Sequence, residues 1–319
     1  MIQKKYALKQ DIQGKAVVIT YEDSYEHEEE SPFQTGSMED ELFLKIRQEI
    51  ENYASLSNTH SETTIIVESC LITDQHIPVL FVYPEGANEL PVVFFNHGTG
   101  GDAVGLISMG IPLAYAGFFT VLVDARMHGR RRPANFKEAF YGNDYKKVYL
   151  TLLQETTQDI SRLIDYLEQD PRADTHKVGI SGISQGGYLS FFAITQDKRI
   201  KVAAPIIGSP DLEDQYGASP PFDELEPTVQ QDIIRFSPLR NYRQMPPVAL
   251  LVQNGNEDIV VPVEGVRKLE AKLKELYKEM PDRYQYVEYD GVGHAITLNG
   301  IEDPLGIGQR MMAWFTKHL

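Results

Sequence analysis

Ser184 lies in the run Lys177-Val178-Gly179-Ile180-Ser181-Gly182-Ile183-Ser184-Gln185-Gly186-Gly187, with glycine two residues before it and two residues after it. A β-branched stretch, a tight glycine turn and a helix-like segment over 188–194 form the setting of a nucleophile elbow. A serine forced into a strained strand-to-helix turn leaves no room for side chains at −2 and +2. Ser184 meets that demand with Gly182 and Gly186, whereas Ser181 has Gly179 on one side and Ile183 on the other. The turn also sets the serine at a helix N-terminus, where unpaired N–H groups favour negative charge. The main-chain amide of Gln185, directly after the nucleophile, is placed to donate to an oxyanion. A serine hydroxyl is a weak nucleophile at neutral pH. It needs an imidazole to take its proton and a carboxylate to orient that imidazole.

Both follow downstream, in order. The apolar run 247–253 reads as a buried strand and ends in Asn254-Gly255-Asn256-Glu257-Asp258. Of the two acids Asp258 is preferred, because it precedes Val260-Val261-Pro262, where Pro262 can open the next helix. Residues 284–289 alternate as a strand, and the loop Asp290-Gly291-Val292-Gly293-His294 supplies the histidine. A turn-forming aspartate or a surface histidine would explain either residue alone. Three such residues, each after a strand and in the order Ser184, Asp258, His294, fit the α/β-hydrolase order. Upstream, the apolar strand 90–96 runs into His97-Gly98-Thr99-Gly100-Gly101. This loop lacks the Gly-Lys-Ser/Thr ending of a phosphate loop and the Gly-x-Gly-x-x-Gly of a dinucleotide site.

Four motifs carry a resemblance: His97-Gly98, Asp124-Ala125-Arg126-Met127-His128-Gly129, Gly182 to Gly187, and Asp258 with His294. Over about residues 60–319 the chain resembles α/β-hydrolases of the dienelactone hydrolase and prolyl oligopeptidase-like group. The Ser-Gln-Gly-Gly turn is also similar to that of acetyl xylan esterases and cephalosporin deacetylases. The resemblance implies that the amide of Thr99 is the second oxyanion donor, beside that of Gln185. It also implies that Arg126 and Gly129 brace the rim of the site, and that His97 shapes its loop and is not a base. Two departures stand out. Serine replaces the cysteine of a dienelactone hydrolase proper, and the chain is too short to carry an oligopeptidase's propeller. The expected activity is hydrolysis of small carboxylic esters through an acyl-enzyme. Cleavage of small amides and ligand binding without turnover are the competing expectations. No cofactor is expected and no metal, since His97, His128 and His294 belong to separate motifs.

The elements that must position these residues alternate along the chain. After a polar, acidic opening, residues 39–53 have helical periodicity, and 63–71 and 76–83 read as an antiparallel pair of strands. Strands at 92–96, 120–124, 177–181, 201–207, 248–253 and 284–289 then follow. Helices at 103–115, 147–168, 185–195, 263–278 and 304–318 separate or close them. Strands alternating with helices predict an α/β fold with a mainly parallel twisted sheet covered on both faces. Residues 1–60 are expected as an N-terminal extension packed on a hydrolase domain of 61–319. Residues 209–245 are expected as a lid-like insertion, offering Tyr216 and Phe222 to substrate. The triplet Arg130-Arg131-Arg132 is expected to pair with carboxylates rather than hold an anion.

With 319 residues, 42% of them hydrophobic, the chain can bury a substantial core. A net charge of −16 disfavours nucleic acid and anionic membrane surfaces as partners and leaves a small-molecule ester. The single cysteine, Cys70, permits no internal disulfide, and no long uncharged apolar stretch occurs, so a cytoplasmic location is expected. The sequence does not indicate an oligomeric state.

Overall fold

The computed structural model describes residues 2–10, 17–25, 38–56, 63–72, 76–142, 144–213, 221–294 and 303–319. The strands are β1 (Ile2–Gln10), β2 (Val17–Tyr25), β3 (Ile65–Ile72), β4 (Ile77–Pro84), β5 (Leu90–Asn96), β6 (Phe119–Val123), β7 (Ala173–Ile183), β8 (Ile200–Ile206), β9 (Ala249–Gly255) and β10 (Tyr284–Tyr289). The helices are α1 (Met38–Leu56), α2 (Ile107–Tyr115), α3 (Phe136–Phe140), α4 (Tyr145–Leu167), α5 (Gln185–Gln196), α6 (Pro227–Phe236), α7 (Glu264–Leu276) and α8 (Ile307–His318). One sheet holds all ten strands in the order β10-β9-β8-β7-β5-β6-β4-β3-β1-β2. From β10 to β6 neighbours run parallel, and from β6 to β2 they run antiparallel. This is the α/β architecture that the alternation predicts, in the α/β-hydrolase form that the resemblance implies.

The side-chain alternation of the strands explains the two helical layers. In β5, Val93 and Phe95 face a cluster with Ile46 and Ile50 of α1, Ile111 and Leu113 of α2, and Met311 and Phe315 of α8. Val92 and Phe94 face the other way, onto Ile160 and Leu163 of α4, Phe191 of α5 and Leu269 of α7. A strand buried on both faces must be apolar throughout, which is why 92–95 reads Val-Val-Phe-Phe.

Strand order decides where the site lies. β5 leads to β6 on one side, while β7, next in the chain, returns to the other side of β5. A sheet whose connections diverge in this way opens a crevice at the C-terminal ends of the two strands, and ligands bind there. The loop after β5 carries Thr99, and the turn after β7 carries Ser184.

The first sixty residues add more than a cover. β1 pairs with β3 in register Tyr6↔Val67, extending the sheet, and α1 buries Ile46 and Ile50 in the shared core. The expected polar opening contains β2, which the sequence reading did not place. Within 209–245 the chain forms α6 and short 3-10 turns at Phe222–Glu224 and Tyr242–Gln244. Tyr216 lies outside the described residues.

Candidate active site

Ser184 sits between β7 and α5 with φ 56° and ψ −112°, a conformation L-residues rarely adopt. Its neighbours hold it there. Its amide donates to Ile206 O at 3.0 Å, and its carbonyl accepts from the Tyr188 amide at 3.0 Å. The flanking glycines are steric necessities. A Cβ on Gly182 would lie 2.6 Å from Asn96 O, and one on Gly186 would lie 2.1 Å from the same oxygen. Asn96 is itself fixed, its Nδ2 donating to Ser181 O at 2.9 Å. Ser181 is buried in the strand and donates to Ala204 O at 2.5 Å, so it offers no free nucleophile. Among the described residues no side chain hydrogen-bonds the Ser184 hydroxyl.

The acid and the histidine are brought together by two stitched loops. The Asn256 amide donates to Tyr289 O and the Glu257 amide to Val292 O, each at 3.0 Å. Asn256 Nδ2 donates to Asp290 Oδ1 at 2.8 Å, and the Gly291 amide donates to Asn256 Oδ1 at 2.8 Å. A Cβ on Gly255 would lie 2.1 Å from Val292 O, so only glycine lets the loops close. Asp258 is thereby buried, with Oδ1 accepting from the amides of Val260 and Val261, both at 2.8 Å. Its Oδ2 accepts from His294 Nδ1 at 2.8 Å. That bond leaves Nε2 as the nitrogen that can take or give a proton. Glu257 is exposed.

The loop after β5 lies against the elbow. A Cβ on Gly98 would stand 3.5 Å from Ser184 Cβ. His97 Nδ1–H donates to Gly98 O at 2.8 Å, and Nε2 accepts the Ala125 amide at 3.1 Å. Both nitrogens are engaged by the backbone, and burial pushes the imidazole's pKa down, so His97 is a neutral strut. Thr99 Oγ1 donates to Gln185 Oε1 at 3.0 Å, linking the two loops through side chains.

The motif at 124–129 and the arginine triplet are tied down by charge, with Asp159 and Arg162 the partners that the sequence reading did not single out. Asp124 accepts the Ala103 amide at 2.8 Å on Oδ1 and Arg130 Nε at 2.7 Å on Oδ2. Gly129, at φ +54°, gives that carboxylate its space, since a Cβ there would lie 2.1 Å from Oδ1. Asp159 of α4 is fully buried and binds Arg126 through two bonds of 2.7 Å, Arg131 at 2.7 Å and Arg162 at 2.9 Å. Arg132 rests on the Phe136 ring at 4.1 Å. The arginine triplet is therefore spent on Asp124, Asp159 and an aromatic face. His128 Nδ1–H donates to Arg126 O at 2.9 Å, and its buried Nε2 has no partner among the described residues. Burial among the edge-on rings of Phe136 and Phe140 pushes its pKa down to about 4. Phe222 packs, half-buried, on a third apolar cluster with Tyr188, Phe192 and Ile233. At the far side of the sheet Glu68 accepts from Arg172 at 2.7 Å and from Cys70 at 3.3 Å, and burial pushes the Cys70 thiol pKa up. Cys70 is a core residue.

The chain is similar to several known proteins. The esterase-named YitV of Bacillus subtilis (strain 168) is 26% identical over 257 residues, spanning 76% of this chain and 96% of its own length. Esterase YjfP of Escherichia coli (strain K12) is 23% identical over 251 residues, spanning 75% of this chain and 96% of its own. Acetyl xylan esterase 1 from Thermoanaerobacterium sp. JW/SL YS485 matches in structure with a TM-score of 0.56 at 16% identity, over 87% of this chain and 93% of that one. This last likeness is one of fold. The profile of the prolyl oligopeptidase family matches residues 136–319, which hold Ser184, Asp258 and His294. That stretch is more than half of the sequence, and the chain belongs to the prolyl oligopeptidase family.

Proposed function

We propose that this protein is a serine hydrolase that cleaves small carboxylic esters through an acyl-enzyme. The observation that carries the reading is the strained Ser184 elbow at the sheet's crevice, served by a histidine already bonded to a buried aspartate. Ser184 Oγ attacks the carbonyl carbon while His294 Nε2 takes its proton. The carbonyl oxygen becomes the oxyanion, received by the amides of Gln185 and Thr99. Asp258 fixes the imidazole tautomer and stabilises the imidazolium. His294 then protonates the leaving alkoxide, and water repeats the sequence to free the acid and regenerate the serine. The esterase names of YitV and YjfP support ester over amide substrates. Family membership favours a second reading, in which the same groups cleave small amides.

The test is Ser184→Ala. Turnover of a short-chain ester should fall on the order of 10⁶-fold, and a serine-directed phosphonate should label the wild type alone. Retained turnover, with Ser181→Ala inactive instead, would refute the assignment. Rates on matched ester and anilide substrates separate the two readings. Because the nucleophile is a side-chain hydroxyl, dialysis against EDTA should leave the rate unchanged.

A further inference from the structure

Thr99 and Gln185 are the two residues whose amides the proposed oxyanion hole needs, and their side chains are hydrogen-bonded to each other at 3.0 Å. They arrive from different places, one on the glycine-rich loop after β5 and one on the first turn of α5. Gln185 is 1% exposed, and among the described residues its Nε2 has no hydrogen-bond partner. Among the described residues, the Thr99 hydroxyl is therefore the only polar anchor of the Gln185 carboxamide. Leaving a buried amide N–H unpaired is costly, and an apolar side chain of similar length would avoid the cost. The loop around Thr99 is otherwise held at its base, where Gly98 O accepts His97 Nδ1–H at 2.8 Å. Thr99 is exposed, Gly100 follows at φ +84°, and the local backbone tie is Gly101 N–H to Gly98 O at 3.1 Å.

We propose that the Thr99 hydroxyl and the Gln185 carboxamide form a clamp that sets the spacing of the two oxyanion donors. Both side chains are then positioning residues for the hydrolysis. This inference rests on the esterase reading above. An oxyanion donor works only within about 2.7–3.1 Å of the oxygen, and its outright loss costs on the order of 10²–10³-fold in kcat. Loosening one donor by breaking the clamp should cost part of that, roughly 10–100-fold.

The experiment compares Thr99→Val, Thr99→Ser, Gln185→Met and the Thr99→Val/Gln185→Met double variant on 4-nitrophenyl acetate and its thionoester. Thr99→Val keeps the shape and loses the hydroxyl, and Gln185→Met keeps the length and loses the acceptor. Each should lower kcat on the oxygen ester, with KM little changed. The double variant should lose no more than the worse single one, because both break the same bond. Thr99→Ser, which keeps the hydroxyl, should recover most of what Thr99→Val loses. On the thionoester the losses should shrink, since sulfur is a weak acceptor and profits little from well-spaced donors. The melting temperature of Gln185→Met should not fall, because the unpaired N–H goes with the amide. Unchanged kcat, equal losses on both esters, additive losses in the double variant or a collapse in melting temperature would each overturn the clamp. If the wild type cleaved neither ester and no phosphonate labelled Ser184, the esterase reading itself would fail, a result distinct from the others.

Discussion

Asp258 and Glu257 differ by one position and by everything around them. Asp258 is buried, bonded by two amides and by His294, while Glu257 projects into solvent. Asp258→Asn keeps the shape but favours the wrong imidazole tautomer, and kcat should drop roughly 10⁴-fold. Glu257→Gln should stay near the wild type. The reverse ranking would move the role to Glu257, and equal mild effects would point to Asp290. Gly186 offers a second test at this scale. Gly186→Ala must displace the Asn96 carbonyl that its Cβ would meet at 2.1 Å. A loss of roughly 1–3 kcal/mol in urea unfolding, together with lost phosphonate labelling, is expected. Wild-type stability and labelling would show that the elbow tolerates a Cβ.

The segment from β6 to α4 is where charge and aromatic rings hold the rim. Asp159 pairs with Arg126, Arg131 and Arg162 from a fully buried position. Removing one partner of a buried ionic set costs about 3–5 kcal/mol, so Asp159→Asn should unfold at markedly lower urea than wild type. His128 gives the same segment a pH dependence. Its unfolded-state pKa of about 6.5 falls to about 4 in the fold, through burial first. A depressed histidine is stabilising above the unfolded value, and that share is lost as pH falls toward the folded one. Roughly 2 kcal/mol should be gone at pH 5 and roughly 3 by pH 4. His128→Asn, which keeps a donor for Arg126 O, should flatten this part of the urea-unfolding profile between pH 7 and pH 5. An unchanged slope would contradict it.

At the scale of the whole chain, the net charge of −16 acts on approaching ligands before any contact forms. An ester bearing a carboxylate should show kcat/KM rising between about 10 mM and 150 mM salt, as the screening length shortens from roughly 30 to 8 Å. A neutral ester should be flat over the same range, and a matching response of both would argue against steering by net charge. The sheet and its helices were legible because strands buried on both faces must be continuously apolar, as in 92–95, and because glycine spacing marked the elbow. The β1–β2 hairpin was not, since it takes its place by pairing with β3 some sixty residues later. α3 spans five residues, too few to show a period. The Thr99–Gln185 and Arg126–Asp159 contacts join residues 86 and 33 positions apart, which no local pattern announces.

The C-terminal helix carries a consequence for synthesis. A Cβ on Gly179 would lie 2.7 Å from Phe315, so α8 lies directly on the strand that ends in the nucleophile. Phe315, Met311 and Trp314 complete the core on that face of the sheet, and Trp314 Nε1 donates to Ala249 O at 3.2 Å. A ribosome delivers the Ser184 strand more than a hundred residues before this cover, and Asp258 and His294 also emerge late. Until residues 307–318 have emerged, the nascent chain lacks the α8 part of the cover on this strand, a period in which exposed apolar surface invites association. Loss of α8 would leave that exposure permanent. Such a chain would hold every proposed reacting group on a sheet that lacks part of its apolar cover.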